Sequence, residues 1–377
     1  MVMHIVFIDP AGMQYTVETP YERPLGGSQS AVCYLAIELA RLGHSVTVLN
    51  GNATTSEGRG VKIDNISALY SPSFRAGFDI GVVLNAASAH RLREVLNMST
   101  PLVLWTQHSH DQPGIQELRE LHERKAWSAF AFVSDWQRQN FEKLFWVPAE
   151  KSRVMRNAVS PAFAECSTLT PWFATDEAPV LFYSSTPFRG LDVLLNAFPK
   201  IRAAIPDVRL RVYSSMAVYQ MPPDEDKFYH PLYDLARGME GVEYVGSVGQ
   251  KRLANELTGS AALAYPSTFA ETSCIAAIEA MAAGAAVFTS NLGALPETTQ
   301  GHAAMVDWQP DNARFTDDFA AMCIQTLREV LEDPRSAMSR REQRLEFIRK
   351  NYLWPDRAKQ WAEWLTQVVN EAQPAQI

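Results

Sequence analysis

Two glutamates separated by seven residues mark the part of the chain best suited to chemistry. Glu271 lies in a polar loop after the apolar run 261–265, and Glu279 lies within the helix-compatible stretch that follows. A helix that begins near Ser273 would point its free backbone N–H groups and positive dipole end beyond the strand, which suits a diphosphate. The Glu279 carboxylate can accept two hydrogen bonds from a vicinal diol, and Glu271 can reach further sugar hydroxyls. The structural alternative is a capping Glu271 and a solvated Glu279.

Alternating strands and helices must position this segment. Short apolar runs at residues 180–184, 208–213, 242–245, 261–265 and 285–289 are separated by stretches with helical periodicity. Such alternation predicts a parallel sheet covered by helices. The stretch 161–179 precedes this series and predicts a linker, whereas residues 215–230 break the period and predict a surface excursion. From Arg314 onward the pattern is charged and helical.

The first half has the same architecture. Apolar runs at residues 2–8, 45–49, 78–84, 102–106 and 129–133 predict strands, and residues 135–145 predict a helix with Ser134 or Asp135 as its N-cap. The first helix is expected to bury a stripe made of Val32, Leu35, Leu39 and Leu42 and to stop at Gly43. The sequence therefore predicts two α/β domains.

Length, charge and cysteine content argue against several classes of function. A chain of 377 residues with 47% hydrophobic content is long enough for two domains, and its formal net charge of -8 argues against nucleic acid as a partner. The four cysteines, Cys33, Cys166, Cys274 and Cys323, form no CxxC pair and predict reduced thiols without disulfides. Without a secretory signal or a run of ~20 apolar residues, we expect a cytoplasmic protein; peripheral contact with the inner face of a membrane stays open.

The spacing of Glu271 and Glu279 resembles the E-x7-E motif of retaining GT-B glycosyltransferases, especially those of glycosyltransferase family 4. The resemblance implies that Glu271 contacts the transferred sugar, that Glu279 binds the nucleotide ribose, and that the amides of Ser273, Cys274 and Ile275 receive the diphosphate. Residues 271–275 read Glu-Thr-Ser-Cys-Ile where the family commonly has Glu-Gly-Phe-Gly-Leu. The loss of both glycines puts the close backbone approach in doubt.

Further segments resemble the same family over nearly the whole chain. The pair Gly26-Gly27 resembles the glycines that allow backbone to approach the donor diphosphate, although a tight turn before a helix is the alternative. Ser184 and Arg189 stand where the family usually has an arginine and a lysine, so the resemblance implies that Arg189 carries the charge that two cations normally share. A solvated Arg189 is the alternative.

A polar cluster after the run 102–106 adds two histidines. It resembles the segment in which the family places a histidine near the donor sugar, and both His108 and His110 match part of it. We favour His108, and a helix-capping role is the alternative for either. Gly246 lies in the loop where the resemblance implies that backbone groups recognise the base.

The acidic run 224–226 and the C-terminal tryptophans have ordinary explanations. Asp224, Glu225 and Asp226 mimic a DxD metal site but are predicted to form a solvated loop, so no metal site is expected. Trp361 and Trp364 are spaced to pack on one face of a terminal helix that, in the resembled fold, crosses back to the first domain.

These observations predict two Rossmann-like domains facing across a cleft. Residues 1–160 with the C-terminal helix 355–377 form the acceptor domain, and residues 161–354 form the donor domain. The expected activity moves a sugar from a nucleoside-diphosphate sugar to a saccharide, lipid-linked or other hydroxyl acceptor, with retention of configuration and without a metal or cofactor. A non-catalytic carbohydrate-binding protein or a sugar-nucleotide epimerase of the same fold is the alternative. A nicotinamide-dependent oxidoreductase is disfavoured because no G-x-G-x-x-G follows the first strand.

Overall fold

The computed structural model describes residues 1–96, 100–163, 170–221 and 223–372. The chain divides into two compact units. The first comprises residues 1–20, 27–157 and 354–377, and the second comprises residues 21–26 and 158–353. The short segment 21–26, which includes Gly26, is therefore grouped with the second unit, whereas Gly27 belongs to the first.

The first unit is built on one eight-stranded sheet in the order β3-β4-β2-β1-β5-β6-β7-β8. Its strands are β1 (His4–Ile8), β2 (Ser45–Asn50), β3 (Ser56–Gly58), β4 (Val61–Asn65), β5 (Ile80–Leu84), β6 (Leu102–Thr106), β7 (Ala129–Phe132) and β8 (Ser152–Val154). The strand β3 pairs antiparallel with β4, and all other pairs are parallel. The polar hairpin of β3 and β4 lacks a continuous apolar run, which is why sequence patterning does not predict it.

Helices cover this sheet. They are α2 (Gly27–Arg41), α3 (Pro72–Arg75), α4 (Ala89–Val95), α5 (Leu121–Ala126) and α6 (Asp135–Phe145), and the short helix α1 (Thr19–Glu22) spans the boundary between the residues of the two units. Ser134 caps α6 by accepting a hydrogen bond from the Gln137 amide, as predicted. Gly43 has φ +90° after α2, which confirms a glycine stop. The prediction that Leu42 is buried is wrong: it lies beyond the end of α2 and is 44% exposed.

The second unit contains a six-stranded parallel sheet in the order β11-β10-β9-β12-β13-β14. The strands are β9 (Val180–Ser184), β10 (Arg209–Tyr213), β11 (Val242–Tyr244), β12 (Ala262–Tyr265), β13 (Ala286–Ser290) and β14 (Ala304–Val306). The central strands are buried on both faces, so they read as continuous apolar runs and are predictable. The short edge strand β14 was not predicted, although residues 303–306 are all apolar.

Among the described residues of the second unit, eight α-helices accompany the sheet. They are α7 (Leu191–Ala204), α8 (Pro223–Asp226), α9 (His230–Gly238), α10 (Gln250–Leu257), α11 (Ile275–Ala282), α12 (Leu295–Thr299), α13 (Asn312–Glu332) and α14 (Pro334–Asn351). The predicted excursion at residues 215–230 is thus partly helical. Asp226 is not simply solvated, because its carboxylate accepts a 2.8 Å hydrogen bond from the Tyr233 hydroxyl. The side chain of Glu225 lies outside the description.

The C-terminal helix α15 (Trp354–Ala372) belongs to the first unit. The buried Trp361 ring lies 5.0 Å from Trp105 of β6 and 5.6 Å from Trp364, edge to face in both cases. Trp354 packs 6.0 Å from Tyr34 of α2. These tryptophans therefore attach α15 through buried aromatic contacts, which confirms the packing predicted for Trp361 and Trp364.

Within the described residues, no helix is both long and apolar enough to cross a membrane. Cys33, Cys274 and Cys323 are free and buried. Burial raises the pKa of the Cys274 thiol well above its usual value, so it is a neutral and unreactive group. Cys166 lies outside the described residues.

Candidate active site

The predicted donor-site residues of the second unit gather where its strand order reverses. The strands β9 and β12 are neighbours, yet the chain leaves β9 in one direction along the sheet and returns to β12 on the other side. In open parallel sheets the carboxyl ends at such a reversal leave a crevice that binds ligands. Arg189 lies in the loop after β9, and Glu271 lies in the loop after β12.

Arg189 and Glu271 form an ion pair at this position. Nη1 of Arg189 lies 2.7 Å from Oε1 of Glu271, and the two side chains are only 21% and 5% exposed. Burial by itself would lower the pKa of Arg189, but the Glu271 carboxylate raises it well above the usual value. The solvated Arg189 alternative is therefore wrong, and the guanidinium remains charged.

Aromatic residues hold this ion pair in place. The Tyr265 hydroxyl donates a 2.5 Å hydrogen bond to the same Oε1 of Glu271, and the Phe269 ring lies 4.4 Å from the guanidinium carbon of Arg189. Oε2 of Glu271 accepts no hydrogen bond from any described residue. The carboxylate therefore keeps one oxygen free for a ligand hydroxyl while the other is fixed by two donors.

Two glycines let the loops around Glu271 pack closely. Gly190, at φ +109°, would place a Cβ 2.1 Å from the Pro266 carbonyl oxygen. Gly293, at φ +67°, would place one 2.5 Å from the Glu271 carbonyl oxygen. The Ala294 amide donates a 2.7 Å hydrogen bond to that same carbonyl. The backbone of Glu271 is consequently set by the loop after β13.

We expect Gly293→Ala to displace Glu271, to lower stability and to lower the sugar transfer that the sequence predicts. The added methyl group meets backbone atoms, and positive φ is strained for alanine, which together cost on the order of 1–3 kcal/mol. Thermal unfolding and steady-state kinetics measure the two effects. Gly301→Ala is the matched control, because Gly301 also has positive φ but no atom lies within 4 Å of its added Cβ. Equal behaviour of the two variants would contradict the close packing on Glu271.

The helix after Glu271 begins two residues later than predicted. Residue Ile275 is the first of α11, Cys274 is the N-cap residue without a side-chain hydrogen bond, and Ser273 lies in the preceding bend. The first intrahelical amide bond is donated by Ile278 to the Cys274 carbonyl. The amides at the start of α11 therefore have no carbonyl of a preceding helical turn to bond to, which leaves them as donors for an anion.

Glu279 lies inside α11 and is 4% exposed. The solvated Glu279 alternative is therefore wrong. Burial raises its pKa to about 8, and the amide of Gln250 partly offsets the shift. The neutral acid accordingly predominates at pH 7 in the ligand-free protein, whereas the sequence reasoning assumed a carboxylate. A bound diol would favour the charged form by donating hydrogen bonds to it.

Ser184 and Gly246 also lie at the carboxyl edge of the second sheet. Ser184 ends β9, and its buried Oγ has no hydrogen-bond partner. Gly246 follows β11 at φ +77° with open space around its Cα. The Gly246 amide donates to the Val212 carbonyl, so of these two residues the unpaired Ser184 hydroxyl is the group that lacks a partner and is able to meet a polar ligand.

The first unit holds the remaining predicted residues. His108 and His110 follow β6 and are half-buried. The backbone amide of His108 donates to the Thr106 hydroxyl, and its carbonyl accepts from the side-chain amide of Gln137. A Cβ added at Gly114 would lie 3.4 Å from Nδ1 of the His108 ring. The His110 ring contacts only the Ser109 hydroxyl, at 3.4 Å. The two hydrogen bonds fix the backbone at His108, and neither involves its ring. Which histidine meets a sugar remains a prediction.

Gly27 opens α2, and Gly26 immediately precedes it. Both positions agree with a turn before a helix, which is the structural alternative given above. Their role towards a diphosphate remains a prediction.

One group of described side chains could geometrically hold a metal ion: His90, Glu117 and Glu123 in the first unit. Glu123 is already occupied, because it accepts hydrogen bonds from the Ala89 and His90 amides and from the Trp127 indole. Such bonds cap the start of α4 and explain the burial of this carboxylate. Of the acidic run, Asp224 pairs with Lys227 and Asp226 with Tyr233.

Sequence reasoning missed the supporting residues of the site. Tyr265 and Phe269 fix the ion pair, Gly293 fixes the Glu271 backbone, and Gln250 reaches Glu279. Tyr265 ends an apolar strand, where a buried tyrosine needs a hydrogen-bond partner. That requirement was the available signal, but the partner is six residues away across a loop.

Comparison with known proteins relates part of the second unit to a family of glycosyltransferases. Residues 178–329 match the family model described as Glycosyl transferases group 1. The matched residues lie within the second unit. The chain is also 31% identical over 130 residues to phosphatidyl-myo-inositol mannosyltransferases of Mycobacterium tuberculosis and Mycobacterium bovis. That match covers 32% of this chain and 30% of the relatives' length.

Solved structures extend the similarity beyond these residues. A glycosyltransferase from Rickettsia africae ESF-5 has a TM-score of 0.74 at 14% identity, covering 98% of this chain and 99% of its own. Sucrose-phosphate synthase from Thermosynechococcus elongatus has a TM-score of 0.68 at 17% identity, with coverage of 98% and 100%. Anabaena Alr3699/HepE with UDP-glucose has a TM-score of 0.66 at 15% identity, with coverage of 97% and 100%. The predicted GT-B fold is confirmed.

Proposed function

We propose that this protein is a retaining glycosyltransferase that transfers a sugar from a nucleoside-diphosphate sugar to a hydroxyl acceptor. The observation that carries the proposal is the ion pair of Arg189 and Glu271 at the strand reversal, within the residues that match the group 1 glycosyltransferase family. In this pair, a fixed cation lies beside a carboxylate that can accept a hydrogen bond from a hydroxyl group. A sugar bonded to a diphosphate requires both groups next to one another.

The donor would be held at three points. The amides at the start of α11, near Ser273, Cys274 and Ile275, would meet the diphosphate together with Arg189. Glu279 would accept hydrogen bonds from the ribose hydroxyls, and the free Oε2 of Glu271 would accept one from the sugar. Ser184 and the backbone at Gly246 would complete the diphosphate and base contacts.

The chemistry follows from this placement. The bond between the anomeric carbon and the diphosphate oxygen breaks while the acceptor oxygen forms the new bond, and the departing phosphate takes the acceptor proton. Negative charge grows on the diphosphate, so Arg189 and the helix amides stabilise the transition state more than the bound donor. Glu271 and a histidine, His108 or His110, would orient the sugar as positive charge develops on it.

The names of similar proteins support a nucleotide-sugar donor and a hydroxyl acceptor. The Anabaena neighbour was solved with UDP and glucose and with UDP-glucose, and the curated relatives are named as mannosyltransferases of phosphatidyl-myo-inositol. We therefore propose a saccharide or lipid-linked acceptor. Peripheral contact with a membrane would be needed for the second kind.

A donor screen tests this function. UDP-, GDP- and ADP-sugars are compared for thermal stabilisation, because a ligand of the native state raises the unfolding temperature by mass action. The stabilising donor is then incubated with saccharide and lipid acceptors, and products are identified by mass spectrometry. We expect transfer with retained anomeric configuration, and loss of transfer in Glu271→Gln. Binding of a donor without hydrolysis or transfer would overturn the enzymatic proposal.

We expect sugar transfer to survive chelation. Arg189 and the α11 amides supply positive potential to the diphosphate, so we propose that no metal ion is needed for this purpose. Activity is measured before and after EDTA treatment, with calcium-saturated EDTA as the control. Loss with EDTA and rescue by manganese or magnesium would contradict the prediction, and Asp226→Asn would then test whether the acidic run binds the ion.

A further inference from the structure

A polar cavity lies at the amino-terminal ends of the strands in the second unit. Its volume is about 350 Å³, and its lining includes Ala261, Ala286 and Ala304, which precede or begin β12, β13 and β14. These are the amino ends of the strands, whereas the candidate donor site lies at their carboxyl ends. The cavity is within the size range of small-molecule sites.

Basic side chains dominate the polar lining of this cavity. Arg340, Arg341 and Arg344 project from α14, and His302 precedes β14. Arg341 and Arg344 are each only 9% exposed. Buried charged groups are normally paired because removal from water is costly. An accumulation of cations here consequently requires a compensating charge.

The described residues do not supply that charge to Arg344. Its Nη2 donates a 3.3 Å hydrogen bond to the Gly284 carbonyl, while its buried Nε has no hydrogen-bond partner. Burial, together with the nearby charges of Arg340 and Arg341, lowers the pKa of Arg344 to about 10. No carboxylate among the described residues forms an ion pair with Arg344 or Arg340.

Capping of α11 accounts for only part of this arrangement. Gly284 follows the carboxyl end of α11, and at φ +80° an added Cβ would lie 2.7 Å from Nε of Arg341. A helix carboxyl end carries roughly half of one negative charge. The cavity is also lined by Glu329, which is exposed and accepts from Gln325. One capping arginine would satisfy the helix, so the remaining cationic charge is unexplained by the fold.

An apolar wall faces the same space. The lining includes Trp172, Phe173, Val287 and Phe288, and Trp172 is 6% exposed. Guanidinium groups beside flat apolar side chains match a ligand with an anionic head and a compact apolar or ring-shaped body.

We propose that this cavity binds a small-molecule phosphate monoester. A phosphate monoester carries up to two negative charges near neutral pH and offers three acceptor oxygens, which fits the planar fork of Arg344 and the neighbouring Arg340. The unpartnered Nε of Arg344 gains a hydrogen bond, and the apolar wall covers the organic part of the ligand.

The proposal is independent of the donor site. The start of α11 faces the candidate donor loop, and its end, at Gly284, faces the cavity. The two sites therefore lie at opposite ends of one helix. A phosphate probe could nevertheless enter the donor site, so that site must be disabled in the test.

Phenyl phosphate and inorganic phosphate are suitable probes, and phenol is the uncharged control. Binding is measured by isothermal titration calorimetry in the Arg189→Gln background, which removes the donor-site cation. Arg344→Gln should lower the affinity for phenyl phosphate about tenfold or more. Arg340→Gln, at an exposed position that should fold normally, should lower it about two- to fivefold. Arg349→Gln is the matched control, because Arg349 is exposed on the same helix and does not line the cavity.

We expect phenyl phosphate to bind more tightly than inorganic phosphate, phenol not to bind, and Arg349→Gln to bind as the background does. Absence of phenyl phosphate binding in the Arg189→Gln background would overturn the proposal. Unchanged affinity in both Arg344→Gln and Arg340→Gln would also overturn it.

Discussion

Replacing Arg189 by alanine is expected to lower kcat for sugar transfer about 10²–10³-fold, the range seen when one preorganised transition-state stabiliser is removed. Donor affinity should change much less, because the contact strengthens as charge develops on the departing diphosphate. Arg189→Lys should recover part of the rate, since the charge remains without the planar fork. Because the resemblance implies that Ser184 stands in place of a second cation, we expect a stronger dependence on Arg189.

The ion pair with Glu271 adds a second expectation. In Arg189→Ala the Glu271 carboxylate loses its cation while it stays buried, so it is expected to lose its position as well as its partner. The effects of Arg189→Ala and Glu271→Gln on kcat should therefore be less than additive when the two are combined. Additive effects would show that the two side chains act separately.

Steady-state kinetics at saturating acceptor and calorimetric donor titration separate turnover from binding. Arg209→Ala is the matched control, because Arg209 is exposed at the amino end of β10, away from the site. Wild-type turnover in Arg189→Ala would mean that another cation serves the diphosphate. It would also mean that the resemblance of residues 184–190 to the family segment is misaligned.

The second large effect is a dependence of donor affinity on pH through Glu279. Burial raises its pKa to about 8, so a donor that needs the carboxylate must displace a proton at neutral pH. Between pH 6 and 7.5, the affinity for a nucleotide-sugar should rise about tenfold per pH unit. In Glu279→Gln the affinity should be lower at pH 8 and nearly independent of pH.

Stability should show the opposite trend in the ligand-free protein. The folded pKa of Glu279 lies above its unfolded value of 4.5, so its contribution is fully present below about pH 4.5 and is lost as pH rises through about 8. The free energy of unfolding relative to Glu279→Gln should therefore fall by up to about 1.4 kcal/mol per pH unit across that window.

Calorimetry with an intact nucleotide-sugar measures how donor affinity depends on pH, because the diphosphate of the donor does not titrate in this range. Urea unfolding from pH 5 to 8 measures how the free energy of unfolding depends on pH. Glu346→Gln, an exposed glutamate on α14, is the matched control. Identical pH profiles for wild type and Glu279→Gln would remove Glu279 from the ribose site. A flat wild-type profile with weakened binding in the variant would show that the neutral acid is the binding form.

The amino-acid sequence by itself determined the two α/β units, most central strands and the segment that holds the candidate site. Runs such as 102–106 and 180–184 are buried on both faces, and this burial leaves a continuous apolar signature. The seven-residue spacing of Glu271 and Glu279 is a local property, as is the glycine stop at Gly43. Local patterns of this kind can be read without coordinates.

The tertiary structure alone decided the electrostatic state of the site. The pairing of Arg189 with Glu271 joins loops 82 residues apart, and the positioning of Glu271 by Gly293 depends on a third loop. The raised pKa of Glu279 comes from burial by elements that are distant in sequence, so composition and spacing predicted a charged group instead. The hairpin of β3 and β4 and the arginine-lined cavity at the amino ends of the second sheet were also not predictable from patterning. Each arises from contacts between elements, and hydrophobic period records only which face of an element is buried, not what lies against it.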